Sequence, residues 1–217
     1  MNSRGSLVVK LEREKLIAIV RLDDSSNLMK IAEALQKAGV FFLEVTLTMP
    51  SPFTAIASIK KAIGKDFYVG AGTVKNLDLA KKSVDCGADF LVSPNFKHEV
   101  VEFAHKNDLA IMPGALSPTE IYDAWESGAD AVKIFPSSLG GPKYFQELTG
   151  PFPDIRLMPT GSITLETAPE YLKAGAFALG VGTSLVNPED VAQGKFENIA
   201  KTANQMRSLI SNFAGTR

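Results

Sequence analysis

The feature that most constrains the fold of this chain is a unit that repeats along its 217 residues. Each unit consists of a short apolar run, a break rich in Gly, Pro, Ser or Thr, and a stretch with helical periodicity. The eight apolar runs span residues 16–22, 41–47, 67–74, 90–94, 109–115, 131–136, 156–161 and 176–182. Short runs rich in Val, Ile, Leu and Phe are typical of parallel strands that are buried on both faces.

The stretches between these runs carry helix signals. Ser117 and Glu120 have the spacing of a capping box, with Pro118 in the first helical turn. The sequence therefore predicts an α/β fold in which residues 1–217 form a single (β/α)8 TIM barrel, with residues 6–15 as an extra N-terminal helix. An open doubly wound sheet is the alternative. It needs a polar edge strand, and none of the eight runs has that composition.

Composition favours a small molecule as the partner. The formal net charge is −1, so neither nucleic acid nor an anionic membrane surface is an expected partner. No apolar run reaches the roughly 18 residues of a membrane span, and the first residues lack a signal-peptide pattern. Cys86 is the single cysteine, and we expect a half-buried structural thiol. These features predict a cytoplasmic protein.

The histidine content argues against several kinds of catalytic site. Only His98 and His105 are present, and both fall in one predicted helix, where we expect them to share a solvated face. A Ser-His-Asp triad or a three-histidine zinc site is therefore not expected. The sequence predicts neither a bound metal nor another cofactor.

In a (β/α)8 barrel, the chemistry takes place at the carboxyl ends of the strands. Polar residues occur at most of these ends. They are Arg21, then Glu44, Thr46 and Thr48, then Thr73, then Ser93 (followed by Pro94), then Lys133, then Thr160 and Ser162, and finally Thr183 and Ser184. Because side chains alternate along a strand, Glu44, Thr46 and Thr48 should share one face.

Lys133 is the most informative of these residues, because it lies inside an apolar run. A lysine is rarely buried unless it is paired or functional. One interpretation is a structural pair with a carboxylate such as Glu44. The other is a nucleophile, since desolvation and a nearby cation such as Arg21 favour the neutral amine that can attack a ketone. We expect Lys133 to form an imine.

Glu44 is the second charge inside an apolar run. It either neutralises Lys133 or Arg21, or acts as a general acid/base whose pKa is raised by burial. The two interpretations are compatible. Further along the chain, Gly161-Ser162 and Gly182-Thr183-Ser184 favour a phosphate-binding site after the last two strands, although such glycines can also serve only to turn the chain.

Seven short motifs occur in order along the chain. They are Ile19-Val20-Arg21, Glu44-Val45-Thr46-Leu47, Gly70-Ala71-Gly72-Thr73-Val74, Ser93-Pro94, Met112-Pro113-Gly114, Lys133-Ile134-Phe135-Pro136 and Pro159-Thr160-Gly161. Together they make the sequence similar to the 2-keto-3-deoxy-6-phosphogluconate (KDPG) / 4-hydroxy-2-oxoglutarate (KHG) aldolase family.

The resemblance implies a metal-free class I aldolase, usually a homotrimer, that cleaves KDPG into pyruvate and glyceraldehyde 3-phosphate in the Entner–Doudoroff route of carbohydrate metabolism. By motif, Lys133 resembles the Schiff-base lysine and Glu44 the acid/base. The implied substrate contacts are Arg21, Thr73, Pro94, Phe135, Thr160, Gly161, Ser162 and Thr183.

Two departures from the family pattern leave the substrate open. Thr48 stands where the family often has an arginine, and a threonine cannot form a charged, bidentate clamp on an anion. Ser162 replaces a second glycine in the presumed phosphate site. KHG or the galactonate epimer of KDPG are therefore alternative substrates. A phosphosugar isomerase barrel and a non-catalytic ligand-binding barrel are further alternatives, but neither explains Lys133 inside a strand.

Overall fold

The computed structural model describes residues 3–214. The strands are β1 (Leu16–Val20), β2 (Phe42–Thr46), β3 (Tyr68–Gly72), β4 (Phe90–Val92), β5 (Ala110–Met112), β6 (Gly114–Ala115), β7 (Val132–Ile134), β8 (Leu157–Pro159) and β9 (Leu179–Val181). The helices are α1 (Ser3–Glu14), α2 (Leu28–Lys37), α3 (Pro52–Ala62), α4 (Leu77–Asp85), α5 (His98–Lys106), α6 (Pro118–Glu126), α7 (Gly141–Thr149), α8 (Ala168–Lys173), α9 (Pro188–Ala192) and α10 (Phe196–Ala214). Each predicted apolar run contains a strand, and the run 109–115 contains two.

The strands pair in parallel, which confirms the predicted α/β architecture. Six of them form a sheet in the order β5-β4-β3-β2-β1-β9, and three form a second sheet in the order β6-β7-β8. Only Pro113 separates β5 from β6, and it has no N–H group to continue the ladder. A parallel bridge between Thr160 and Gly180 lies directly after β8 and joins it to β9.

Alternation along the strands sorts the side chains into two cores. Leu43 and Val45 of β2 belong to the larger core, together with helix residues such as Ile56 of α3. Phe42 of β2 belongs to a smaller core on the other face of the strands, which also receives Leu7 and Leu11 of α1. Glu44 lies between Leu43 and Val45, so it shares the face of Phe42.

The helix ends follow the sequence signals in one well-defined case. The Ser117 hydroxyl accepts a hydrogen bond from the Glu120 N–H, and the Glu120 carboxylate accepts one from the Ser117 N–H, which confirms the capping box at the start of α6.

No helix of residues 3–214 is long and apolar enough to cross a membrane.

The expectation of a solvated histidine face is correct for His98 and wrong for His105. His98 is exposed, whereas the His105 side chain is only 25% exposed and its Nε2 lies 3.9 Å from Asp130 Oδ2. Burial, and then the charge of Arg4, lower the pKa of His105. The expectation failed because the contact with Asp130 joins two distant parts of the sequence.

Cys86 is half-buried as expected, and burial raises the pKa of its thiol.

Candidate active site

A cavity of about 760 Å³ opens at the carboxyl ends of the strands. All of the predicted catalytic and substrate-contact residues line it, together with Thr48. The lining residues are Ile19, Arg21, Glu44, Thr48, Thr73, Pro94, Lys133, Phe135, Thr160, Gly161, Ser162, Ile163, Thr164, Gly182, Thr183, Ser184, Val186, Asn187 and Pro188. A depression of about 800 Å³ on the outside of α10 has no buried charged group in its lining and offers no comparable chemistry.

Lys133 reaches the cavity from the middle of β7. Its neighbours Val132 and Ile134 pack into the larger core, so alternation directs the lysine side chain to the opposite face of the strand. The side chain is 7% exposed, and Nζ lies 3.9 Å from Glu44 Oε1. That distance gives electrostatic attraction but exceeds a hydrogen bond. The Nζ atom also lies 5.2 Å from the centre of the Phe135 ring.

Glu44 enters the same space from β2 and is 1% exposed. Burial raises the pKa of its carboxyl group, against the opposing attraction of Lys133 and then Arg21. Among the described residues, Oε2 has no hydrogen-bond partner. A buried polar atom without a partner costs about 1–3 kcal/mol, so its retention favours a role in binding or catalysis.

The remaining predicted residues surround this pair. Arg21 is exposed at the end of β1, and Thr73 is half-buried with a φ of 66°. Thr48 is exposed, and its hydroxyl donates a long hydrogen bond of 3.4 Å to Thr46 Oγ1. The hydroxyl oxygen of Thr160 is buried and, within residues 3–214, has no hydrogen-bond partner. Arg21 and Lys133 are the cationic residues of this lining, and Glu44 is the anionic one.

The loops after β8 and β9 lie side by side on one wall. The Ser184 hydroxyl donates to the Ile163 carbonyl and ties the two loops together. Gly161 and Ser162 both have positive φ, at 101° and 57°. None of the hydrogen bonds between described residues uses the N–H groups of Ser162 or Thr183. These loops therefore present both N–H groups and hydroxyl groups beside the cavity.

Sequence reasoning missed several lining residues, namely Ile19, Ile163, Thr164, Val186, Asn187 and Pro188. Ile19 could have been found, since it lies two residues before Arg21 on the same face of β1. The others lie in loops, whose side-chain directions follow no simple period. No group of three or more His, Cys, Asp or Glu side chains suited to a metal ion occurs in the described part of the chain.

Comparison with known proteins assigns this chain to a family. A model of the KDPG and KHG aldolase family matches residues 8–202, which is most of the chain. The chain belongs to the KDPG and KHG aldolase family. The resemblance found in the sequence motifs is thereby confirmed, and the protein is an aldolase, a lyase that acts on a carbon–carbon bond.

Individual relatives differ in the substrate they are named for. The chain is 33% identical to a 2-dehydro-3-deoxy-phosphogluconate aldolase of Treponema pallidum, over 92% of this chain and 95% of that protein. It is 30% identical to a 2-dehydro-3-deoxy-6-phosphogalactonate aldolase of Escherichia coli, over 91% of this chain and 94% of the relative. A solved KDPG aldolase of Legionella pneumophila, with pyruvate captured as a covalent carbinolamine intermediate, matches with a TM-score of 0.84 at 26% identity, covering 93% and 96% of the two chains.

Proposed function

We propose that this aldolase is a class I enzyme that cleaves KDPG into pyruvate and glyceraldehyde 3-phosphate through an imine at Lys133. The observation that carries the proposal is a buried lysine 3.9 Å from a buried glutamate inside the cavity. The capture of pyruvate as a carbinolamine in the Legionella relative supports it. This cleavage needs an amine to form the imine, a carboxyl group to move protons, and N–H and hydroxyl groups to bind the phosphate.

The reaction begins with attack of the Lys133 amine on the C2 ketone, which gives a carbinolamine and, after loss of water, an iminium ion. Glu44 then takes the proton of the C4 hydroxyl group while the C3–C4 bond breaks. The bonding electrons move into the iminium ion to form an enamine, and C4 leaves as the aldehyde. Glu44 returns a proton to C3, and water hydrolyses the resulting pyruvyl imine to release pyruvate and regenerate Lys133.

The two ends of the substrate have different binding groups in this proposal. Thr73 and Pro94 contact the pyruvyl portion, together with Phe135 beside the Lys133 amine. The loops after β8 and β9, with Thr160, Gly161, Ser162 and Thr183, hold the phosphate through N–H and hydroxyl groups. Arg21 adds a guanidinium group at the rim. Between described residues, the N–H groups of Ser162 and Thr183 make no hydrogen bond, which supports this assignment.

We also propose that the chain forms a single domain, one closed (β/α)8 barrel whose bottom is covered by α1. The bridge between Thr160 and Gly180 supports closure on one side. On the other side, the Ser93 N–H donates to the carbonyl of Met112 at the end of β5, and the Lys133 N–H donates to the carbonyl of Pro113. Interstrand hydrogen bonds therefore continue on both sides of the interruption between β5 and β6. From the family resemblance, we further propose that the protein is a homotrimer in the cytoplasm and that it works without a metal or other cofactor.

The substrate assignment is tested by comparing kcat/KM for KDPG, its galactonate epimer and KHG in the wild type and in Thr48→Arg. We expect KDPG to be preferred. The added guanidinium should lower the KM for KDPG by about 10- to 100-fold, since a charge-assisted contact contributes about 1.5–3 kcal/mol. Thr54→Arg is the control, because it adds the same charge at an exposed threonine outside the cavity lining.

A wild type that prefers KHG and is not inhibited by inorganic phosphate would contradict the phosphate site and favour an unphosphorylated substrate. A preference for the galactonate epimer would contradict KDPG as the substrate and would favour the activity for which the Escherichia coli relative is named. Neither outcome affects the role of Lys133.

A further inference from the structure

The carboxyl group of Glu44 lies over a position of β3 that has no side chain. Gly70 and Gly72 are two residues apart, so both face the same side of β3, and they pair in register with Glu44 and Thr46 of β2. The ring of Phe90 fills the space over Gly70, where a Cβ atom would lie 2.2 Å from the ring. Over Gly72, a Cβ atom would lie 2.0 Å from Glu44 Oε1 and 2.5 Å from Glu44 Cγ.

Glu44 therefore leans along the strand, away from its register partner Gly70 and over Gly72, towards the carboxyl ends and the cavity. Side chains in strands commonly lean in this way. The φ of Gly72 lies outside the left-handed region, so its backbone conformation would accept a side chain. What makes glycine necessary at this position is the space that the glutamate side chain occupies.

We propose that Gly72 is a positioning residue for the reaction, because its missing Cβ atom allows the Glu44 carboxyl group to lie beside Lys133. This inference rests on the proposed acid/base role of Glu44. Gly72 itself contacts no reacting atom in the proposal. It acts through the location of a carboxyl group that has a buried oxygen without a partner in the described part of the chain.

The test is Gly72→Ala, assayed with pyruvate for two separate steps. Imine formation, measured by borohydride trapping at Lys133, should proceed at close to the wild-type rate. Exchange of the pyruvate methyl protons with solvent deuterium needs the carboxyl group and should slow by about 10- to 100-fold, as expected for a reacting group displaced by about 1 Å. In KDPG cleavage, kcat should fall while KM changes little.

Gly70→Ala is the matched control, because it makes the same change on the same face of β3. Its new methyl group meets the Phe90 ring, which is completely buried, rather than the glutamate. We expect a larger fall in Tm than for Gly72→Ala, and an unchanged ratio of exchange to trapping. The double variant Gly72→Ala/Glu44→Ala removes the Glu44 atoms that the new methyl group would meet, so its Tm should be close to that of Glu44→Ala alone.

Exchange at the wild-type rate in Gly72→Ala would overturn the proposal, and so would an equal loss of trapping and exchange. If Gly72→Ala does not fold, the double variant decides. Recovery of folding supports a clash with the Glu44 side chain, whereas continued unfolding shows that a different contact excludes the methyl group and overturns the proposal. Failure of the proposed function is seen separately, as a wild type in which Lys133 is not trapped.

Discussion

At the scale of single residues, Glu44 is subject to opposing electrostatic effects. Burial favours its neutral form, whereas the charges of Lys133 and Arg21 favour its ionised form, and burial is the larger effect, so the pKa of Glu44 is raised. The ionised form is the one that can remove a proton from the substrate. Activity should therefore rise with pH through a pKa above the ordinary glutamate value of about 4.3.

We expect the acid limb of kcat/KM in the wild type to report this raised pKa. Glu44→Gln should lose that limb and reduce turnover by about 10²- to 10⁴-fold, the usual contribution of a positioned acid/base, while imine trapping continues. Glu102→Gln, which removes an exposed carboxyl group on α5, is the control. An acid limb that remains at the same pH in Glu44→Gln would show that Glu44 serves only as a counter-ion.

The location of Lys133 and Glu44 in the cavity could be predicted from the sequence because each is a charge inside an apolar run, where burial without function is costly. Strand alternation then placed them on the inner face. The residues that were missed had no such contrast. Ile163 and Val186 are apolar residues in loops, and the packing of His105 against Asp130 depends on a contact between distant parts of the chain.

At the scale of elements, the start of α6 offers a test of stability that leaves the cavity untouched. The Glu120 carboxylate accepts hydrogen bonds from the N–H groups of Ser117 at 2.8 Å and Leu116 at 3.0 Å. These backbone bonds, followed by the bond from the Ser117 hydroxyl, lower the pKa of Glu120. Their contribution to stability is therefore present above the ordinary carboxyl pKa and is lost as the pH falls below it.

Ser117→Ala should lower the free energy of unfolding by about 1 kcal/mol, the typical cost of losing an N-cap, with kcat unchanged. Urea denaturation measures the difference, and Ser208→Ala, an exposed serine inside α10, is the control. Equal midpoints for the two variants would mean that the capping box contributes nothing measurable to the fold.

The order and parallel direction of the strands could be predicted because eight apolar runs alternate with helices, and such crossovers are right-handed and local. The interruption of the fifth run was not predicted. Pro113 divides it into β5 and β6 because proline removes a ladder hydrogen bond. The alternation of side chains along a run indicates which residues share a face, but it does not indicate the residue at which the hydrogen bonding of the strand stops.

At the scale of the whole molecule, the charge of the cavity differs from that of the chain. The formal net charge of the protein is −1, yet the cavity lining carries two cations against one carboxyl group. A cleft with this balance attracts an anionic substrate, and the raised pKa of Glu44 increases the difference. The substrate itself could not be read from the sequence, because Thr48 and Ser162 depart from the motifs that carry the resemblance.

The central claim is that Lys133 forms the imine, and trapping with pyruvate and borohydride followed by peptide mass mapping tests it most directly. The wild type should gain one reduced pyruvyl group, at Lys133, and lose its activity. Lys133→Arg should gain none, since a guanidinium group stays protonated, and Lys143→Ala, which removes an exposed lysine of α7, should be labelled like the wild type. Labelling at a different lysine, or an unlabelled and fully active protein, would contradict the account.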